Sequence, residues 1–145
     1  MAEKNIRCVM DHHTRVLTIC SDIDRFFSDY DKISLERTTD KSDVTRFHAI
    51  SMVLFTILNL SFELGEEVIG LRHAGLPSTY RDIFRILWEE KLIDENIRET
   101  MSHMVYYRNR LAYQYSGLNY EDIDAIISNI DIIKNYIAKM KDSIR

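Results

Sequence analysis

Hydrophobic residues recur along this chain at steps of three and four, the period of a helix face. Over residues 5–30 the stripe is Ile6, Val9, Met10, Val16, Leu17, Cys20, Ile23 and Phe27, which predicts a first amphipathic helix. His13 sits on that stripe between Met10 and Leu17, where a packed core or interface imidazole is expected. Ser34 to Ser42 is polar and breaks the pattern, and Asp40 or Ser42 stands where a cap is needed. Residues 43–69 are the most apolar stretch: between Ala49 and Phe62 only Ser51, Thr56, Asn59 and Ser61 are polar. A helix apolar nearly all round is touched on several sides, so a central helix of ~40 Å is predicted. Gly65, Gly70, Gly75 and Pro77 are expected to end it and make the one substantial loop.

Thr79-x-x-Asp82 predicts the capped start of a short helix carrying Tyr80, Ile83, Phe84, Leu87 and Trp88. Asp94 caps a fourth helix running to about Tyr115, with Gly117 just past its end. Asn119, followed by Glu121 and Asp122, opens a last helix with Ile123, Ile126, Ile127, Ile130, Ile133, Ile137 and Met140 on one stripe. The expected fold class is all-α: a bundle of four long helices plus one short one, in a single domain over 1–145.

Composition agrees. The 145 residues include four glycines and one proline, where average usage gives about ten and seven. A chain this short of turn-formers does not suit a many-stranded sandwich or barrel. Cys8 and Cys20 form no CxxC pair and read as small buried hydrophobes. No apolar run reaches ~18 residues and no basic-then-apolar leader opens the chain, so a cytoplasmic protein without a membrane partner is expected. The net charge of -4 argues against a sequence-wide grip on nucleic acid. No DNA partner is expected, and any RNA contact must be local. His12 and His13 with His48 or His73 lack ligand spacing, so neither metal nor cofactor is expected.

The fourth helix departs from its own pattern. Its apolar stripe reads Ile97, Met101, Met104, then Arg108, then Leu111 and Tyr115. A guanidinium stands where the period asks for a hydrophobe. It either packs its stem and pairs its head with a carboxylate, or lines a cleft and binds an anion such as phosphate. Asn109 and Arg110 flank it, with Tyr106, Tyr107, Tyr113 and Tyr115 around it. Tyrosines that stack on bases and arginines that hold backbone make a small RNA-contact patch. Glu63, Glu66 and Glu67 either end the central helix as a solvated face, or one of them pairs with Arg108 or Arg110. His103, five residues before Arg108, is rotated ~140° from it and is expected to face solvent or a neighbouring helix.

The segment Met104-Val105-Tyr106-Tyr107-Arg108-Asn109-Arg110-Leu111-Ala112-Tyr113-Gln114-Tyr115 resembles the signature of HEPN-domain proteins. More narrowly it resembles the HepT toxins of HepT–MntA toxin–antitoxin pairs, whose motif is an arginine, four residues, a histidine, one residue and a tyrosine. Gly75-Leu76-Pro77-Ser78-Thr79-Tyr80-Arg81-Asp82-Ile83-Phe84 and Phe62-Glu63-Leu64-Gly65-Glu66 are similar to the segments that precede that motif in the family. The likeness spans the second helix to the fifth.

The resemblance implies an all-α homodimer with the motif helices paired across a cleft. It also implies metal-independent RNA cleavage, in which a ribose 2′-hydroxyl attacks the adjacent phosphate. There the histidine serves as general acid or base, and the arginine stabilises phosphate charge. The implied partner is an MntA-type nucleotidyltransferase antitoxin that attaches AMP to the motif tyrosine. Carried over, the catalytic positions are Arg108, Asn109 and Tyr113, the AMP acceptor is Tyr115, and Arg110 is an RNA or phosphate contact. Tyr113 occupies the histidine position. Tyrosine ordinarily ionises near pH ~10 and histidine near ~6.5, so a tyrosine there is a poor base and impaired cleavage is expected. The chain is then either a naturally degenerate member or an inactivated version of a toxin. The alternative is a non-catalytic HEPN module that binds a nucleotidyltransferase partner or a nucleotide.

Overall fold

The computed structural model describes the backbone of residues 2–35 and 43–145 and the side chains of 12–34 and 43–145. It is built from six helices: α1 (Ala2–Leu35), α2 (Val44–Arg72), α3 (Tyr80–Glu89), α4 (Glu95–Tyr113), α5 (Tyr120–Ile127) and α6 (Ile130–Asp142). A single 3-10 turn, Tyr115–Gly117, follows α4. The predicted last helix is therefore two. At the break, the Ser128 hydroxyl donates to the Asp124 carbonyl (2.7 Å) and the Asn129 amide to the Ala125 carbonyl (2.8 Å). Side chains of this kind compete with the helix's own hydrogen bonding. The apolar register survives the break, since Ile123, Ile126, Ile130, Ile133, Ile137 and Met140 are all buried.

Helix α2 is the axis of the bundle and touches α1, α3, α4, α5 and α6. Its buried residues, from Ile50 to Ile69, span about half of its circumference at ~100° per residue, and the exposed Met52 lies on the other half. Among the described helices it alone is long and apolar enough to cross a membrane by length and composition. The uninterrupted apolar run understates this, because serine and threonine weigh little in hydropathy and the many Ile, Leu, Val and Phe outweigh Asn59. Half of that stretch is buried inside the bundle.

Helices α1 and α2 run antiparallel. Val16, Ile19, Cys20, Ile23 and Phe27 form the buried side of α1, but Leu17 is 46% exposed and His13 is exposed, so neither is a core residue. The true stripe steps through 16, 20, 23 and 27, and positions 13 and 17 fall beside it. Ile6, Cys8, Val9 and Met10 lie outside the described side chains.

Asp43 caps α2 by accepting from the Arg46 amide (3.0 Å); the expected Asp40 and Ser42 lie outside the described residues. Gly65 and Gly70 do not end α2. They lie within it, and the helix closes only at His73, whose left-handed backbone (φ 53°) lets its amide reach the Gly70 carbonyl. Gly65 serves packing instead. A Cβ there would stand 2.5 Å from Tyr136 Oη and 2.6 Å from Ile83 Cγ2. The close approach seats the fully buried Tyr136, whose hydroxyl donates to the Ser61 carbonyl (2.8 Å). Thr79, Asp94 and Asn119 cap α3, α4 and α5 as expected, with Asp82 reaching back to the Ser78 amide rather than to that of Thr79.

Candidate functional site

The buried face of α4 is Ile97, Met101, Met104, Val105 and Leu111. Arg108 interrupts it, half-buried, with its guanidinium in a ring of aromatic side chains. Its Cζ lies 4.9 Å from the Tyr80 ring centre, 5.6 Å from that of Tyr113 and 5.7 Å from that of Phe55. Nε donates to Asn59 Oδ1 (2.8 Å) and Nη1 to Asn109 Oδ1 (3.2 Å). Among the described residues no carboxylate lies within ion-pairing distance of Arg108. The carboxylate pair that the pattern left open is therefore absent there, and neutral amides hold the head instead. Of five guanidinium N–H groups, two are engaged, so three are left without a hydrogen bond among the described residues and can serve an anion.

Two clefts are lined by side chains that touch this arginine. One, of about 480 Å³, is lined by Glu66, Pro77, Tyr80, Arg81, Val105 and Asn109 among others. The second, of about 420 Å³, is lined by His48, Ser51, Met52, Phe55, Leu111, Ala112 and Tyr115. Arg108 touches Tyr80 in the first wall and Phe55 in the second. Burial, with Glu63 and Glu67 nearby, pushes the Glu66 carboxyl above the ordinary carboxylate range.

The other expected residues separate. Asn109 steadies the Arg108 fork. Tyr113 is 78% exposed, with its ring beside Arg108. Tyr106 and Tyr107 do not surround Arg108: they pack on each other and on the exposed His103. Tyr80, from α3, takes the place expected of them. Arg110 turns away from the cleft and binds Asp122 (3.0 Å) and the Gly117 carbonyl (2.9 Å), which ties the end of α4 to the start of α5. Glu63 and Glu67 pair with Arg15 on α1, and Glu67 also meets His12 (2.5 Å), so neither reaches Arg108 or Arg110. Among the described residues no three His, Cys, Asp or Glu side chains converge on one point.

Tyr115 sits in the 3-10 turn, half-buried, with its hydroxyl 2.5 Å from His48 Nδ1. His48 belongs to no motif. Its signal is positional: at ~100° per residue, His48, Met52, Phe55 and Asn59 share one narrow stripe of α2. That stripe lies against the end of α4 and carries both the Arg108 acceptor and the Tyr115 partner. Ser51, beside it, is fully buried, and its hydroxyl has no hydrogen-bond partner among the described residues.

No curated protein matches the chain. The fold is similar to that of YutE, a cytosolic Bacillus subtilis protein of unknown function (TM-score 0.70, 19% identity, 84% of this chain and 87% of that one). It is similar to a toxin–antitoxin structure solved with AMP-PNP (TM-score 0.77, 16% identity, 88% and 96%). It is also similar to a tri-AMPylated Shewanella oneidensis HEPN toxin in complex with its MNT antitoxin (TM-score 0.64, 17% identity, 92% and 96%). At these identities the likeness is one of fold. The family model of HepT-like ribonucleases matches residues 16–140, nearly the whole bundle and all of the Arg108–Tyr115 segment, and the chain belongs to that family.

Proposed function

We propose that this chain is the toxin component of a toxin–antitoxin pair in the cytoplasm, a metal-independent endoribonuclease impaired by Tyr113. The observation that carries this reading is the Arg108 head, held by two amides inside aromatic rings and paired with no carboxylate among the described residues. Such a cation is oriented for a phosphate and stabilises the charge that grows on it when a ribose 2′-hydroxyl attacks. The proton transfers of that step need a group that titrates near neutrality, and the phenol of Tyr113 is a weak substitute. Asn109 holds the fork. Two copies related by a dimer axis would set two Arg108 clefts side by side. Arg110 serves the site by fixing the turn that carries Tyr115. Tyr115 accepts AMP from an MntA-type nucleotidyltransferase, which places a bulky anion beside the Arg108 cleft and shuts out RNA.

The test is RNA cleavage by the purified chain and by Tyr113→His. The variant is expected to cleave faster by a factor on the order of 100, the usual worth of a general acid or base. Arg108→Ala in that background is expected to abolish the gain. A histidine variant that leaves RNA intact and lets cells grow normally removes the nuclease reading.

A second reading is favoured by the exposure of Tyr113: a non-catalytic module that binds a nucleotide or the nucleotidyltransferase through Arg108. It predicts that Arg108→Glu weakens partner binding while Tyr113→His gains no activity. Both readings place the site at a homodimer cleft, so sedimentation is expected to show a dimer at micromolar concentration.

A further inference from the structure

We propose that His48 is the general base that activates the Tyr115 hydroxyl as a nucleophile. The proposal rests on the reading of Tyr115 as the acceptor of AMP and supplies the proton transfer which that reading requires.

The two groups come from different elements, 67 positions apart, and meet at 2.5 Å. Each is held from behind. The Tyr115 turn is fixed by the Gln114 amide on the Arg110 carbonyl and by Arg110 on the Gly117 carbonyl and Asp122. Phe47, next to His48, packs on Tyr115 (6.4 Å between ring centres) and on Tyr120 (5.0 Å). A phenol is a poor nucleophile until its proton leaves, and imidazole is the side chain type suited to take it near neutral pH. His48 is exposed, so a proton received at Nδ1 can pass to water from the other ring nitrogen. The groups that share the clefts on either side of His48 are Tyr115, Asp43 and Tyr120, and Asp43 is the one carboxylate among them. The approach is also formed. The groove beside Tyr115 is walled by Met52, Phe55, Leu111 and Ala112. Within it the buried Ser51 hydroxyl still lacks a partner that a polar atom of an incoming nucleotide would provide.

Tyr115 Oη forms a bond to the α-phosphorus of a nucleoside triphosphate presented by the nucleotidyltransferase. The bond from that phosphorus to its bridging oxygen breaks, and pyrophosphate leaves with the electron pair. The phenolic proton goes to His48 Nδ1.

Two measurements on the full chain separate this proposal from the reading beneath it. In the first, the chain alone is treated with a fluorosulfonylbenzoyl adenosine, which captures activated tyrosines and releases fluoride. Peptide mass spectrometry compares Tyr115 with Tyr113, which is more exposed and lacks a histidine partner. Tyr115 is expected to label faster, and His48→Ala to slow it at least about tenfold without changing Tyr113. Equal labelling of the two tyrosines, or no effect of His48→Ala, overturns the proposal.

In the second, the chain is incubated with its nucleotidyltransferase and ATP labelled at the α-phosphate. His48→Ala is expected to slow transfer by about a hundredfold, with partner affinity unchanged, and added imidazole to restore part of it. His48→Asn, which can still hydrogen-bond but cannot take the proton, is expected to stay slow. Full transfer to His48→Asn overturns the base role. Absence of transfer to the wild-type chain, with His48-dependent sulfonylation intact, overturns AMP as the accepted group and upholds His48 as the base.

Discussion

Gly65→Ala isolates the contact on which the bundle closes. In an exposed helix the change would help by about 1 kcal/mol, since alanine is the better helix former. Here the new methyl meets Tyr136 Oη at 2.5 Å and Ile83 Cγ2 at 2.6 Å, and both side chains are fully buried. Relief needs a shift of about 1 Å, which breaks the 2.8 Å hydrogen bond from the Tyr136 hydroxyl to the Ser61 carbonyl. A buried hydroxyl left without a partner costs about 1–3 kcal/mol. Overpacking against Ile83 costs a further ~1–3 kcal/mol. Less the helix gain, the net loss is about 1–5 kcal/mol, or roughly 2–20 °C in Tm at this chain length. Urea and thermal unfolding followed by circular dichroism measure it. Tyr136→Phe removes the oxygen that the methyl strikes. In that background the alanine penalty should shrink by about 1 kcal/mol, the coupling expected of residues in contact. A Gly65→Ala protein as stable as the wild type, or a cycle with no coupling, would refute the packing argument.

Two further outcomes follow from other contacts. Burial, then Cys20 and Glu66 nearby, pushes the Tyr136 phenol above its ordinary value, so above pH ~10 the unfolded chain gives up a proton that the folded chain keeps. Stability is therefore expected to fall as pH rises through that range, and Tyr136→Phe to flatten the alkaline limb of the Tm–pH curve. Asp122→Ala removes both the partner of Arg110 and the acceptor of the Asn119 amide, at 3.0 and 3.1 Å. A lower urea midpoint is expected, with faster amide exchange confined to residues 114–119.

What could be read in the chain divides along physical lines. Caps whose partners lie three residues away, such as Thr79, Asp94 and Asn119, were legible because the interaction is local. The irregularity at Arg108 was legible because a charge in an apolar period stands out whatever surrounds it. What holds the charge was not. Asn59 and Tyr80 come from other helices, and their meeting depends on how those helices cross. Gly65 reads locally as a breaker, but a helix interior tolerates glycine where a neighbour comes close, and Tyr136 lies 71 residues further on. Glu63 and Glu67 face α1 rather than α4 for the same reason. His48 was invisible as chemistry until Tyr115 was placed against it, although its register with Phe55 and Asn59 is printed in the sequence.

The stripe of α2 that carries His48, Phe55 and Asn59 belongs to the same rod whose other sides form the core. The groups that orient Arg108 and Tyr115 are thus fixed to the helix that carries much of the core. Loosening the core and blunting the site become one event, so variants such as Gly65→Ala should lose function in proportion to fold, while edits at the solvent-facing end of α3 should leave both alone. Under the proposed toxin role, that linkage means a partly unfolded copy is also a harmless one.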